Sequence, residues 1–200
     1  MLEAITGLSL AAAAGLNAYI PLLGLGLLSR FTEVIALPDG WAWLEGNWAL
    51  GIIGALLLIE VVVDKVPALD TANDVLQSVV RPASGGLVFS AGASSSTLAV
   101  SDPEAFMHSS AFWPFVFGIV IALVPHILKL VSRPVVNLAT AGLGASVMST
   151  LEDITAVIVT VLAVLLPLLA LGVMVLLAVL GVRWIRRIRA RRATQTRPAG

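Results

Sequence analysis

Long aliphatic stretches alternate with short polar ones along this chain. Four stretches stand out: Ile5 to Leu28, Trp48 to Val66, Phe112 to Val131 and Ile154 to Val182. A helix rises about 1.5 Å per residue, so about 20 apolar residues cross a hydrocarbon core about 30 Å thick. The four stretches therefore predict spanning helices. The last is long for one crossing and should tilt, with a kink at Pro167. Two weaker stretches, Pro82 to Val100 and Pro134 to Thr150, are rich in Gly, Ala and Ser. Small residues let helix backbones approach closely, so both are read as short spans inside a bundle. Re-entrant half-helices buried by protein are the alternative. Val75, Leu76, Val79 and Val80 recur at helical spacing, with Asp70, Asp74 and Arg81 around them. That pattern predicts a short amphipathic helix at the inner membrane surface. The predicted class is all-α: a polytopic transmembrane helical bundle of about six spans.

Composition changes the picture in one respect, the solvent. Of 200 residues, 58% are hydrophobic and 12% charged. A water-soluble domain is nearer a quarter charged, so this chain suits a bilayer. Residues 1–182 read as one transmembrane domain and 183–200 as a basic, disordered cytoplasmic tail. Seven of the twelve basic residues lie there: Arg183, Arg186, Arg187, Arg189, Arg191, Arg192 and Arg197. The positive-inside rule places this tail in the cytoplasm. Alternating sides backwards through six spans puts Lys65, Arg81, Lys129 and Arg133 inside. The acidic loops 30–47 and 101–110 and a tight turn at Glu152-Asp153 then fall outside, with Arg30 the one basic exception. Both termini are expected in the cytoplasm, and the chain in a bacterial inner membrane. Met1-Leu2-Glu3 lacks the basic start of a cleaved signal peptide, so the first apolar stretch is expected to be retained. Trp41, Trp43, Trp48, Trp113 and Trp184 read as interfacial anchors. The arginine tail reads as a contact for anionic lipid head groups rather than for nucleic acid. The sequence has no cysteine, which excludes disulfides and thiolate chemistry. With two histidines only, no His-rich metal site is expected, and no cofactor is called for.

Charges inside spans need an explanation, because each costs about 2.5–3.5 kcal/mol at mid-helix on insertion scales. Glu60 lies deep in its stretch, about 10 Å from the inner end at 1.5 Å per residue. Asp64 follows four residues later on the same face. Two such carboxylates repel, so one is protonated, or a cation or basic side chain lies between them. His126, seven residues before Arg133, should match the depth of Glu60. The expected inner-half cluster sets Glu60, Asp64, Asp70 and Asp74 against Lys65, Arg81, His126, Lys129 and Arg133. Such a cluster can relay protons, bind an ion, or pair helices. Asn17 and Asn137 are polar groups inside spans, either bonding another helix or lining a path. Glu152-Asp153 is read as the cap of the last helix, since acids favour a helix N-terminus.

An internal echo appears at a shift of 52 positions: Val75-Leu-Gln-Ser-Val-Val-Arg-Pro82 over Ile127-Leu-Lys-Leu-Val-Ser-Arg-Pro134. Each Arg-Pro is expected to end one helix and start the next, where proline's missing N–H costs nothing. A repeated helical hairpin is the expectation, as in many transporters. Asp64-Lys65-x-Pro67-x-x-Asp70 and Arg81-Pro82-x-x-Gly85 resemble the central motif of a bacterial integral membrane family labelled domain of unknown function 4126. His126-x-x-Lys129-x-x-x-Arg133, Asn137, Ser149-x-x-Glu152-Asp153 and Ala14-Gly15-Leu16-Asn17 resemble it too. The resemblance spans about residues 5 to 175. It implies a small polytopic envelope protein and no particular activity, and it adds Glu152 and Asp153 to the positions to test.

The leading functional expectation is an oligomeric transporter or channel for an ion or small hydrophilic solute. Glu60 and Asp64 would titrate or bind the cation, with His126 as proton partner. A membrane accessory or scaffold protein without substrate is the alternative. A Mg²⁺-dependent enzyme on a lipid phosphate is the second alternative, with Asp64, Asp70 and Asp74 as oxygen ligands and Arg81 and Arg133 on phosphate. The balance is against an enzyme, because the spacing expected of alcohol-phosphate transferases is absent around these acids.

Overall fold

Asn17 divides the first apolar stretch into two helices. Its backbone N–H still bonds the Ala13 carbonyl at 3.0 Å, which closes α1 (Leu2–Leu16). Its side-chain Oδ1 accepts from the Tyr19 and Ile20 amides at 3.0 and 3.1 Å, which opens α2 (Tyr19–Phe31). Two amides left unpaired by the break are satisfied this way. The single span expected from Ile5 to Leu28 is thus two half-length helices.

The structure is a computed structural model and describes residues 2–65, 67–93, 108, 112–140 and 143–195. Among these it is all helical. A 3₁₀ helix (Asp39–Glu45) leads into α3 (Asn47–Val63), and α4 (Pro67–Gly92), α5 (Phe112–Thr140), α6 (Leu143–Leu165) and α7 (Pro167–Gln195) follow. The expected surface helix and the weak span after it are one element, since α4 runs unbroken through Pro82. The end of that expected span, 94–100, and the acidic loop expected after it, with Asp102 and Glu104, lie outside the described residues. Likewise α5 runs through Pro125 and Pro134. The expected turn at Glu152-Asp153 is wrong: both residues sit inside α6. Neither Arg-Pro pair starts a helix. The expected kink at Pro167 is a full break: Leu165 ends one helix and Pro167 starts the next, where its missing N–H costs little.

Contacts between helices fix their directions. Gly7 packs on Phe89 and Gly92, and Ala11 on Gly85, so α1 and α4 are antiparallel. Gly85 meets Gly118 and Ala122, while Ser78 meets His126, so α4 and α5 are antiparallel. A Cβ on either Gly85 or Gly118 would overlap its neighbour, so this crossing needs glycine. Arg133 reaches Glu152 across the α5–α6 hairpin. Asn17 bonds Asp153 and Gly24 packs on Thr160, so α2 runs alongside α6 in the same direction. It follows that α1 and α2 are antiparallel and that the chain reverses at Asn17. It reverses again at Leu166, because Gly181 in α7 returns to lie beside Leu128 in α5. The N-terminal part of α1 and the region around Gly181 therefore lie at opposite ends of the bundle.

Two helical stretches, Phe112–Val136 and Ser146–Leu165, are long and apolar enough to cross a membrane. The 3₁₀ helix and α3, bent by 61°, are a third if counted as one. Leu2–Leu16, Tyr19–Phe31 and Pro167–Arg183 are shorter apolar helices. Six full-length spans are thus more than the described helices provide, because Asn17 and Pro167 cut two long stretches short and α4 is charged over its first half.

Polarity is inverted relative to a fold made for water. Leu58, Val62, Val79 and Leu138 are exposed, at 63–82%, with many other aliphatic side chains. Glu60, Asp64, Arg81, Lys129 and Arg133 are buried, each at 3% or less. The buried apolar core joins Leu10, Ala14, Leu22, Leu25, Trp41 and Val88 among others. Trp41 is thus a core residue, not an interfacial anchor, whereas Trp43, Trp48 and Trp113 are exposed. The side chain of Trp184 is outside the described residues.

Candidate functional site: a buried ionic network

The sequence places an acid near the C-terminal end of α3 and cations along α4 and α5, and the antiparallel packing brings them together. Asp64 is the hub. Its Oδ2 lies 3.2 Å from Lys129 Nζ, 3.1 Å from Arg133 Nη2 and 3.8 Å from Arg81 Nη2. Ser149 Oγ donates to the same oxygen at 3.3 Å, and Asn73 Nδ2 donates to Oδ1 at 2.6 Å. Four helix segments, α3 to α6, thus converge on one carboxylate. Burial disfavours the charged form of Asp64, and the close cations Lys129 and Arg133 offset that cost. Asp64 lies just past the end of α3.

Around the hub, Glu152 Oε2 lies 2.8 Å from Lys129 Nζ and 3.3 Å from Arg133 Nη2. Asp74 Oδ2 lies 3.4 Å from Arg133 Nη1. Glu60 Oε1 takes Arg81 Nη2 at 2.9 Å. Arg81 therefore lies between Glu60 and Asp64, so a basic side chain answers the repulsion foreseen for that pair. Among the described residues, four buried carboxylates (Glu60, Asp64, Asp74, Glu152) meet three buried cations (Arg81, Lys129, Arg133). Desolvating each ion costs several kcal/mol, and only pairing of this quality offsets it.

Not every polar atom is answered. Glu60 Oε2, Asp74 Oδ1, Gln77 Oε1, Arg81 Nε and Nη1, and His126 Nδ1 are buried without a hydrogen-bond partner. These atoms belong to α3, α4 and α5, whereas Asp64 has partners on both oxygens.

The structure changes several expectations about individual residues. His126 does not pair with Glu60; its Nε2 meets Ser78 Oγ at 3.0 Å. Lys65 is exposed and donates to the Val61 carbonyl at 3.3 Å, so it stands outside the network. Glu152 does not cap a helix; it is a mid-helix partner of Lys129 and Arg133. Asp153, beside it, accepts from Asn17 Nδ2 at 2.9 Å and ties the α1–α2 break to α6. The side chains of Asp70 and Asn137 lie outside the described residues. The apolar stripe of α4 faces outward, with Val75, Leu76 and Val79 exposed, while Asp74, Gln77 and Arg81 face the network. Gln77 was missed in the sequence, although Asp74, Gln77, Ser78 and Arg81 recur at helical spacing on one face.

Among the described residues no group of three or more His, Asp or Glu side chains is placed to hold a metal ion. Asp64 and Asp74, which the Mg²⁺ reading would use, instead share Arg133.

No curated protein and no solved structure matches this chain. A family model described as a domain of unknown function, DUF4126, matches residues 4–187. That match covers nearly the whole chain, and it takes in every residue of the network: the protein belongs to the DUF4126 family.

Proposed function

We propose that this chain is a membrane-embedded carrier or channel whose ionic network takes up and releases a proton or a small cation. The observation that carries this reading is Glu60: it is 2% exposed, and among the described residues it belongs to a set with more acids than cations and its Oε2 has no partner. A buried carboxylate with one free oxygen is a ready place for a proton or cation. Asp74 and Gln77 offer further unmet oxygens on α4. Asp64 has a different part. Its partners on three other helices make it the fixed joint of the bundle, and Glu60 the group that changes state.

The exposed aliphatic faces support residence in a membrane. The arginine-rich end of α7 follows Gly181, which lies at the network end of the bundle. With that end in the cytoplasm, the network faces the cytoplasm and α1 begins on the other side. This proposed orientation differs from the two cytoplasmic termini expected from six spans.

The test is flux in vesicles. Purified protein in phosphatidylcholine vesicles, under an imposed potassium diffusion potential, should carry protons or the monovalent cation supplied, read with an internal pH or cation dye. Glu60→Gln should abolish the flux while helicity and elution volume stay unchanged. Equal flux from the variant and the parent would show that Glu60 is not the group that moves charge.

A further inference from the structure

A second feature lies beside the network, and ion carriage does not use it. Helices α1, α5, α6 and α7 line an open cavity of about 480 Å³. Sites for small molecules occupy about 300–1,000 Å³ and are mainly apolar with a few polar groups. This cavity has that character. Leu8, Ile121, Leu128, Leu171 and Met174 are among its apolar lining, and its charged lining residues are Lys129 and Glu152.

The polar groups differ in what they can still offer. Lys129 Nζ is occupied by Asp64 and Glu152. Ser132 Oγ already donates to the Lys129 carbonyl at 3.1 Å. Glu152 makes both of its ion pairs through Oε2, and at 10% its side chain is more exposed than any other in these pairs. A carboxylate at the edge of an ionic network thus meets a hydrocarbon-lined space. Among the described residues the four buried carboxylates outnumber the three cations, and this balance favours a donor or a cation over an anion.

We infer that the cavity binds a single-chain amphiphile whose head donates hydrogen bonds, an alkylamine before an alkanol, with the head on Glu152 and the chain along Leu128, Ile121 and Met174. The apolar lining suits the chain, and burying it drives binding. The head then forms a charge-assisted bond, roughly twice as strong as a neutral one. An alkanoate is disfavoured, because its carboxylate would meet Glu152. This inference requires the apolar exterior but not ion carriage.

The test uses the full chain in phosphatidylcholine vesicles and dodecylamine carrying a diazirine on its chain. After irradiation, the labelled residues are mapped by mass spectrometry. Labels should concentrate on residues of the cavity. Unlabelled dodecylamine should compete at about tenfold lower concentration than dodecanoate, the ratio that about 1.4 kcal/mol produces. Ala178→Trp, which fills the cavity from α7 and replaces no residue of the network, should remove most of the cavity labelling. Glu152→Gln should cut the preference for amine over dodecanol about tenfold. Even labelling of outward faces such as Leu58 and Val120, equal competition by dodecanoate, or full labelling of Ala178→Trp would overturn the inference. None of these results bears on the Glu60 flux test, and a failed flux test leaves the labelling result standing.

Discussion

Arg81 and Glu60 form a pair in which both side chains are essentially inaccessible, at 0% and 1%. Replacing one member of such a pair by an apolar residue strands the other charge, at about 3–5 kcal/mol. The two replacements should not cost the same. Arg81→Met leaves four carboxylates facing two cations and removes the group between Glu60 and Asp64, so it belongs at the upper end, about 4–5 kcal/mol. Glu60→Met leaves three carboxylates with three cations and should fall at or below about 3 kcal/mol. Removing both deletes the pair together with its desolvation cost, and such exchanges are often near neutral. The double variant should therefore be more stable than Arg81→Met alone, with a coupling of at least about 3 kcal/mol. Unfolding in mixed micelles with rising dodecyl sulfate, followed by intrinsic tryptophan fluorescence and circular dichroism, measures all four proteins. Additive costs, or a Glu60→Met variant as damaged as Arg81→Met, would refute the reasoning about charge balance in this network.

Two further outcomes rest on the backbone. Asn17→Ala removes the acceptor for the Tyr19 and Ile20 amides and the donor to Asp153, and should cost about 1–2 kcal/mol in the same assay; Asn17→Ser, which keeps a capping oxygen, should recover part of the loss. Gly85→Ala places a methyl 2.8 Å from the Gly118 carbonyl oxygen and against Ala122. It should destabilise by about 1–3 kcal/mol, whereas Gly51→Ala, where nothing lies within 4 Å of the new methyl, should be neutral or better.

The all-helical class was legible from the length of the aliphatic stretches alone. So was the cost of Glu60, because a carboxylate inside an aliphatic stretch demands a partner wherever it is buried. Arg81 and Arg133 were expected in one inner-half cluster with Asp64, but the Arg-Pro pairs expected to end helices lie inside them. Three features were not legible. Asn17 was recognised as polar, but a side chain that caps a new helix and one that bonds a neighbouring helix leave the same mark in a sequence. Glu152-Asp153 looked like the acidic start of a helix, since local pattern does not show that Lys129 and Arg133, on another helix, neutralise Glu152. The polar residues of α4 were expected both on a membrane-surface helix and in the ionic cluster, and Asp74 and Arg81 are buried in the cluster. Periodicity finds the two faces of a helix equally well, but which face turns inward depends on the solvent outside. In hydrocarbon the aliphatic face turns out and the charged face turns in.

That inversion is the central claim, and single-cysteine labelling tests it most directly, because the chain has no cysteine of its own. Nitroxides at Leu58→Cys, Val79→Cys and Val120→Cys in vesicle-bound protein should collide with oxygen and stay shielded from a water-soluble nickel complex. Free access of nickel to these positions, with oxygen access no higher than in water, would contradict the account.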